Sequence, residues 1–132
     1  AAGKTAIKQV QTWVNKNYGT KIAIDGIFGK DTKAAYAGAL QCYLNSRYKA
    51  KLAVDGIFGT KTKAAIREVS IGAKGDYVYL LQGILICRGY STNGFDGDFG
   101  TGTQSAVKAF QKASKIAVDG IAGKNTFEKL YK

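Results

Sequence analysis

The sequence predicts an all-α fold made of two tandem three-helix units, each containing Asp-Gly turn loops. A six-residue motif centred on Asp-Gly occurs four times, as "IDGIFG" at 24–29, "VDGIFG" at 54–59, "FDGDFG" at 95–100 and "VDGIAG" at 118–123. Between these motifs, apolar residues recur at helical spacing. The 132-residue chain contains no Pro to interrupt a helix, and extended patterns are confined to isolated pairs around the motifs.

The tandem organisation follows from an internal repeat. A shift of 71 residues places Asp25 on Asp96 and Thr32 on Thr103, and it aligns the apolar residues of the preceding segments. The repeat divides the chain into residues 1–67 and residues 68–132.

The spacing of the motifs indicates what lies between them. Asp25 and Asp55 are 30 residues apart, whereas Asp96 and Asp119 are 23 residues apart. The difference is close to two turns of α-helix at about 3.6 residues each, and such an insertion keeps the apolar face of a helix on the same side. The segment between motifs is therefore predicted to be helical.

Each unit is predicted as helix, motif, helix, motif, helix. Ile7, Val10 and Val14 lie on one helical face, and Tyr18-Gly19 ends that first helix. The segment "SIGAKGD" carries two glycines and is predicted to be the turn that opens the second unit. The remaining predicted helices are 31–48, 60–69, 76–88, 101–115 and 124–131.

The motif itself favours a turn that leads into a helix. Asp bonds its own downstream backbone, and Gly accepts a positive φ without penalty. The second Gly of each motif is predicted to be a helix N-cap, so that a Thr three positions later can reach back to the loop. These threonines are Thr32, Thr62, Thr103 and Thr126, and Phe28, Phe58, Phe99 and Ala122 are predicted to anchor the loops in the core. The alternative interpretation makes the aspartates ligand contacts.

The charge of the chain indicates an anionic partner. The net charge is +11, and residues 1–67 hold twelve basic and three acidic side chains while residues 68–132 hold eight and six. A basic half is typical of proteins that bind nucleic acid, an anionic membrane or an anionic cell-wall polymer. The alternative is that lysines scattered singly only solvate helix faces.

Several kinds of chemistry are excluded by composition. The absence of His rules out Ser-His-Asp and Cys-His catalysis and His-containing zinc sites. Cys42 and Cys87 lie in apolar runs and are predicted to be buried free thiols, with a single disulfide as the alternative. "DGDFGTGT" opens like a calcium loop but lacks its Gly at position six and its Glu at position twelve. We expect no cofactor, no metal and no autonomous hydrolase.

Targeting signals are equally sparse. No apolar run is long enough for a membrane span, and the first ten residues lack the apolar region of a signal peptide. The chain contains no Met, which indicates a fragment or a processed product.

The second unit closely resembles the peptidoglycan-binding domain of bacterial and phage cell-wall enzymes. The family pattern runs from G-x-x-G through V-x-x-L-Q and D-G-x-F-G-x-x-T to A-V-x-x-F-Q and a closing D-G-x-x-G-x-x-T with Leu. In this sequence it is found at Gly72 to Gln82, at Asp96 to Thr103, at Ala106 to Gln111 and at Asp119 to Leu130. The first unit has both motifs and the first helix but lacks the G-x-x-G opening, and it resembles a divergent copy.

The resemblance implies a non-catalytic module that binds peptidoglycan and targets an attached hydrolase, such as an endolysin, an autolysin or an N-acetylmuramoyl-L-alanine amidase, outside the cell. It implies peptidoglycan as partner and no nucleic acid or membrane, and the first-unit lysines Lys21, Lys30 and Lys33 are expected to meet either teichoic acid phosphates or peptide carboxylates. Alternatives are a basic module for another polyanion and a protein-docking module. The implied ligand contacts are Tyr18, Lys21, Asp25, Phe28, Lys30, Tyr90, Asp96 and Phe99.

Overall fold

The computed structural model describes residues 3–132, which form six α-helices connected by loops. The helices are α1 (Lys4–Tyr18), α2 (Lys30–Tyr48), α3 (Thr60–Ala65), α4 (Asp76–Cys87), α5 (Thr101–Ala113) and α6 (Lys124–Tyr131). Within these residues extended pairing is limited to two isolated bridges, Val69 with Ala122 and Lys74 with Asp98. The predicted all-α fold is confirmed.

The third helix is shorter than the sequence predicted. It was expected to reach residue 69, but it ends at Ala65 and Ile66 is already extended, with φ −62° and ψ 135°. The backbone beyond it is held by other partners. Val69 exchanges two backbone hydrogen bonds with Ala122, and the Tyr77 hydroxyl donates to the carbonyl of Arg67 at 2.6 Å. Tertiary pairing therefore overrides the helical pattern of this segment.

The seven additional residues between the first two motifs lie mostly in a helix, as the motif spacing predicted. α2 has 19 residues and α5 has 13, so six of the seven additional residues extend the helix. The seventh lengthens the loop that follows, which spans 49–59 after α2 and 114–123 after α5.

α4 is the centre of the molecule. It packs against α1, α2, α5 and α6, and ten of its twelve residues are buried. A helix that is apolar on every side is stable only when other helices surround it. One continuous core therefore runs from α1 to α6.

A buried tyrosine joins α2 to both α1 and α4. Tyr36 is fully buried, and its hydroxyl donates to the carbonyl of Val10 at 2.8 Å. On its other side the ring lies against Gly83 of α4, where a Cβ would come within 2.6 Å of the ring. The absence of a side chain at Gly83 is what lets α4 approach α2 this closely.

The connector before α4 is fixed by the third loop. The amide of Gly72 donates to the carbonyl of Phe99 at 2.9 Å, and the amide of Gly75 donates to the carbonyl of Gly97 at 2.9 Å. Gly75 is the N-cap of α4 with φ 113°, a conformation that favours glycine. The segment is thus the opening turn that the sequence predicted.

Both cysteines are free thiols. Cys87 is buried, and burial raises the pKa of its thiol to about 12. Cys42 is partly exposed on α2, which departs from the prediction that both would be buried. No helix in residues 3–132 combines the length and the apolarity needed to cross a membrane.

Two glycine-to-alanine substitutions test the close approach of α4 to α2. We expect Gly83→Ala to lower the free energy of unfolding by about 2–3 kcal/mol, because the new methyl group displaces the Tyr36 ring in a filled core. Gly38→Ala on α2 is the matched control, because its methyl group would meet only Val54, at 3.8 Å. We expect that variant to be about 0.5–1 kcal/mol more stable than the parent.

Urea denaturation followed by circular dichroism measures both changes. Equal effects of the two substitutions would contradict this account of the helix contact.

Candidate functional site

The four Asp-Gly loops have nearly the same backbone. The glycine after each aspartate has a φ of 71–73°, in the left-handed region. Each aspartate accepts a hydrogen bond through Oδ1 from the amide two residues later, at 3.0 Å in all four copies. This is the Asp turn that the sequence predicted, and it makes the aspartate a part of the loop.

A buried glutamine from the preceding helix completes every loop. Its side-chain nitrogen has three oxygen atoms within 2.9–3.1 Å, which belong to the aspartate carboxylate, to the carbonyl two residues further on and to the threonine hydroxyl of the next helix. Its side-chain oxygen accepts the amide of the loop glycine at 2.9–3.1 Å. The four networks are Gln11–Asp25–Thr32, Gln41–Asp55–Thr62, Gln82–Asp96–Thr103 and Gln111–Asp119–Thr126.

Each network ties a helix, a loop and the next helix together. The glutamines are at most 1% exposed and the threonines at most 4%, so these hydrogen bonds are shielded from water. The second glycine of each motif is the N-cap of the following helix, as predicted. The predicted contact from threonine to loop is made through the glutamine amide.

The aspartates are held ionised by these bonds. For Asp25 and Asp55 the glutamine side chain, and then the loop amide, lower the pKa of the carboxyl below its usual value. For Asp96 and Asp119 the same two donors act in the reverse order of size and again lower the pKa. All four carboxylates face solvent on one side, but their Oδ1 atoms are already engaged.

Two of the predicted contacts meet in a groove beside the first loop, which we call the loop groove. It has a volume of about 520 Å³ and is lined by Tyr18 and Lys21 on one side and by Val54 of the second loop on the other. The floor of the groove is open because the residues that α2 places there, Ala34 and Gly38, are small. Asp31, Asp55 and Ile22 also line the groove, so it carries charges of both signs around an aliphatic surface.

Tyr18 is fixed at the edge of the loop groove. Its hydroxyl donates to Oδ2 of Asp76 at 3.0 Å, which connects α1 to the start of α4. Burial, and then the charge of Asp76, raise the pKa of this tyrosine well above its usual value. The ring is half-buried, so one part of it supports the fold while another faces the groove.

Asp25 and Lys30 lie on the opposite face of the same loop. They line a shallow concavity of about 260 Å³ that shares Ile22 and Asp31 with the loop groove. The structure therefore places four predicted contacts, Tyr18, Lys21, Asp25 and Lys30, around the first loop.

The remaining predicted contacts serve mainly in packing. Phe99 is 1% exposed and lies inside the core, so its ring offers no surface to a ligand. Phe28 is half-buried beneath the guanidinium of Arg88, 5.6 Å from its ring centre. Tyr90 is half-buried and packs edge to face on Phe110 at 5.4 Å. Asp96 belongs to the third network.

Sequence reasoning missed the glutamines as the partners of the loops, although the signal is present. Gln11, Gln41 and Gln82 each precede the loop aspartate by 14 residues and the threonine by 21. In the fourth copy these distances shorten to 8 and 15, which conceals the pattern.

A second repeat was also missed. A shift of 30 residues relates the first loop, 24–29, to the second loop, 54–59. It superposes Asn15 on Asn45, and each of these side chains bonds the carbonyl seven residues later, at 2.9 Å.

Comparison with known proteins finds a family match in the second half of the chain. Residues 74–130 match the family described as putative peptidoglycan binding domain, which is the family that the second unit was predicted to resemble. These residues contain α4, α5 and α6 with the third and fourth networks.

Individual relatives are similar over different lengths. The chain is 30% identical over 129 residues to the uncharacterized protein FadG of Bacillus subtilis (strain 168), which is 94% of this chain and 22% of that protein. The chain thus spans about a fifth of the length of this curated relative. The SleB N-terminal domain is 39% identical, covering 48% of this chain and 88% of that one, with a TM-score of 0.47. A peptidoglycan-binding protein from Clostridioides difficile, solved with glutamine hydroxamate, is 38% identical, covering 48% and 40%, with a TM-score of 0.47.

Gln11→Leu tests the network directly. We expect it to lower the free energy of unfolding by about 3 kcal/mol, because the amide of Gly26 and the carbonyl of Ile27 lose a buried partner. Gln9→Leu on the same helix is the matched control, because Gln9 is exposed and a surface change of this kind alters stability by about 0.5 kcal/mol or less. A similar loss in both variants, measured by urea denaturation, would show that the network carries no special stability.

The loops also predict how stability depends on pH. Because the four aspartates have a lower pKa in the folded chain than in the unfolded chain, the unfolded chain binds more protons in this range. The stability that the four aspartates contribute is fully present at pH values above the ordinary carboxyl pKa of about 4. It is lost as the pH falls through the lower pKa that these carboxyls have in the folded chain. Urea midpoints measured from pH 6 to pH 2 should decrease accordingly.

Asp25→Asn should flatten this decrease, because the amide oxygen keeps the bonds but does not titrate. Asp31→Asn is the control, since its exposed carboxylate lies outside the four networks. A steeper loss in Asp25→Asn than in the parent chain would contradict the assignment.

Proposed function

We propose that this chain is a non-catalytic module that binds the stem peptides of peptidoglycan and directs an attached peptidoglycan hydrolase to the cell wall. The observation that carries the proposal is the family match of residues 74–130. The four equivalent networks extend the same loop architecture into residues 3–67. We propose residues 1–67 and 68–132 as the two binding units, of which the first is the divergent one.

The loop groove supports the proposal by its chemistry. Stem peptides carry alanine methyl groups, amides and charged ends of both signs. The groove offers the aliphatic surface of Ile22 and Val54, the cation of Lys21 and the carboxylate of Asp31. The Tyr18 ring at its edge provides a flat face for a sugar or a peptide plane. We infer that Tyr18 and Lys21 make the main contacts in the first unit.

The aspartates have a different role in this proposal. Asp25 and Asp96 each use Oδ1 for the glutamine and for a loop amide, so they maintain the shape of the groove walls. The predicted ligand contacts of Lys30 and Tyr90 remain predictions. The predicted contact of Lys21, Lys30 and Lys33 with teichoic acid also stays a prediction. In the structure, Lys33 donates to the carbonyl of Lys132 at 2.8 Å.

The targeting role rests on the way such modules act on a polymer. Two binding units in one chain raise the affinity for a repetitive wall well above that of either unit alone. A hydrolase joined to such a chain would be held at its substrate outside the cell. We therefore propose an endolysin, an autolysin or an amidase as the catalytic partner, with secretion or phage lysis bringing it to the wall.

Binding to purified sacculi tests this function with substitutions at one residue. Tyr18→Leu and Tyr18→Phe both remove the bond to Asp76, but only Tyr18→Leu removes the aromatic face of the groove. We expect Tyr18→Leu to weaken binding about tenfold and Tyr18→Phe about twofold, since an aromatic contact contributes about 0.5–1.5 kcal/mol. Cosedimentation across a range of sacculus concentrations measures both constants.

Asp25→Asn is the second arm of the same experiment. Because its oxygen still accepts the loop bonds, we expect its binding to match that of the parent chain. A large loss in Asp25→Asn would make the aspartate a ligand contact. Failure of the parent chain to sediment with sacculi would remove the proposed function.

A further inference from the structure

A second groove lies between the end of α2 and α3, and we call it the basic groove. It has a volume of about 560 Å³ and is lined by Tyr48, Lys51, Leu52, Lys61, Ala64 and four further residues of this region, with Lys124 of α6. One of those further residues is Arg67, and the side chains of Lys51, Lys61, Arg67 and Lys124 are exposed. The groove thus combines residues from both halves of the chain.

The basic groove is the counterpart of the loop groove. The shift of 30 residues that relates the first two loops places Tyr18 on Tyr48, Lys21 on Lys51 and Ala34 on Ala64, and each of these six residues lines its own groove. The decisive exception is Asp31, which falls on Lys61. This exchange, together with Arg67 and Lys124 and the absence of a counterpart of Asp55, makes the basic groove positive where the loop groove carries both signs.

The surroundings add to this positive charge. None of the ten described residues that line the basic groove is acidic. The sequence from 47 to 67 holds six basic side chains and one acidic side chain, so much of the excess charge of the first half is collected here. The one acid in that stretch is Asp55, whose Oδ1 is engaged by Gln41 in the second network.

Two of the cations are held in place. Lys124 donates to the carbonyl of Ala64 at 2.6 Å and lies 3.3 Å from the carbonyls of Lys63 and Ile66. The guanidinium of Arg67 lies over the Tyr48 ring, 4.3 Å from its centre. Lys51 and Lys61 line the remainder of the groove. A cation that is already held in place, as Arg67 is, loses less entropy on binding an anion than a flexible surface lysine does.

We propose that the basic groove binds an anionic polymer with a polyol-phosphate backbone, the chemistry of a teichoic acid. Phosphates would meet Lys51, Lys61 and Arg67, and the carbon chain between phosphates would lie on the aliphatic floor formed by Leu52 and Ala64. The site is distinct from the loop groove, and it does not depend on peptidoglycan binding there.

The groove favours a polyol phosphate over a nucleic acid. Single-stranded nucleic acids gain much of their affinity when bases stack on exposed aromatic rings. One face of the ring in this groove, Tyr48, is covered by the guanidinium of Arg67, and the residue as a whole is 37% exposed. A polyol phosphate has no bases to stack, so the guanidinium on the Tyr48 ring does not reduce its affinity.

Charge exchange between the two grooves tests the proposal. The probe is purified poly(glycerol phosphate) of defined length, titrated against the whole chain by isothermal calorimetry at several salt concentrations. We expect Lys61→Asp to weaken binding about tenfold and to reduce its salt dependence, because phosphate contacts release counterions. Asp31→Lys, which removes one of the two acids of the loop groove and adds a cation beside Lys21, should strengthen binding.

Lys8→Asp is the matched control, because it makes the same charge change on an exposed part of α1. Its affinity for the probe should change less than twofold. An equal loss in Lys8→Asp and Lys61→Asp would overturn the proposal in favour of a general charge effect. Tighter binding of single-stranded DNA of the same charge would overturn it in favour of nucleic acid.

Sacculi stripped of teichoic acid separate this inference from the proposed function. Lys61→Asp should bind stripped sacculi as the parent chain does, and weaker binding there would reassign the groove to peptidoglycan. If the parent chain fails on stripped sacculi but binds the phosphate polymer, the proposed function fails and the basic groove stands. A urea midpoint for each variant verifies folding, and an aspartate in the first turn of α3 is compatible with the helix.

Discussion

The buried glutamine amide is the interaction on which this structure depends. An Asp-Gly turn directs an amide and a carbonyl toward the core, where water cannot reach them. Leaving such groups without partners costs about 1–3 kcal/mol each. A primary amide has donors and an acceptor in one plane, and each glutamine uses them to satisfy the loop and the threonine of the next helix together. The same solution appears four times, which fixes where α2, α3, α5 and α6 begin relative to the helix before each of them.

This arrangement separates shape from recognition. The network residues are occupied with one another, so the loops keep one geometry in all four copies. The side chains between them are free to differ without disturbing that geometry. Asp31 and Lys61 occupy the same place in two related grooves and give them different charge. In the second half, Phe110 fills space with Tyr90, whereas the first half leaves Ala34 and Gly38 open to solvent.

The sequence predicted most of the fold because its strongest signals are local. Helical periodicity, Asp-Gly turns and N-cap glycines depend on neighbours in the chain. Four helices, α2, α4, α5 and α6, begin and end within about two residues of their predicted limits, and α1 ends at the predicted Tyr18. The end of α3 could not be predicted in this way. There Val69 pairs with Ala122, more than fifty residues away, and that pairing decides the backbone.

The site was harder to predict than the fold for the same reason. Phe99 carries the same motif position as Phe28, but one ring is in the core and the other is half-exposed beneath Arg88. The basic groove combines Lys51 and Lys61 with Lys124, and residues so distant in sequence meet only through the packing of α3 against α6. In the sequence, three of the glutamines precede the loop aspartates by a constant 14 residues. Only the hydrogen bonds show that this spacing places each glutamine amide against its Asp-Gly loop.

The shared core decides how the two halves can act on a polymer. α4 buries its faces against α1 and α2 as well as against α5 and α6, so the halves are not joined by a flexible linker. The Trp13 ring stacks on Tyr79 at 4.8 Å and meets Phe95 at 6.0 Å, which adds an aromatic contact between the first helix and the third loop. The two proposed binding units, 1–67 and 68–132, are therefore held at a fixed separation. A rigid pair of sites loses little entropy when the second site binds, but it gains only on polymers whose repeat matches its geometry. Under the proposed function, this rigidity would make binding depend on the spacing of groups along a wall polymer in addition to their chemistry.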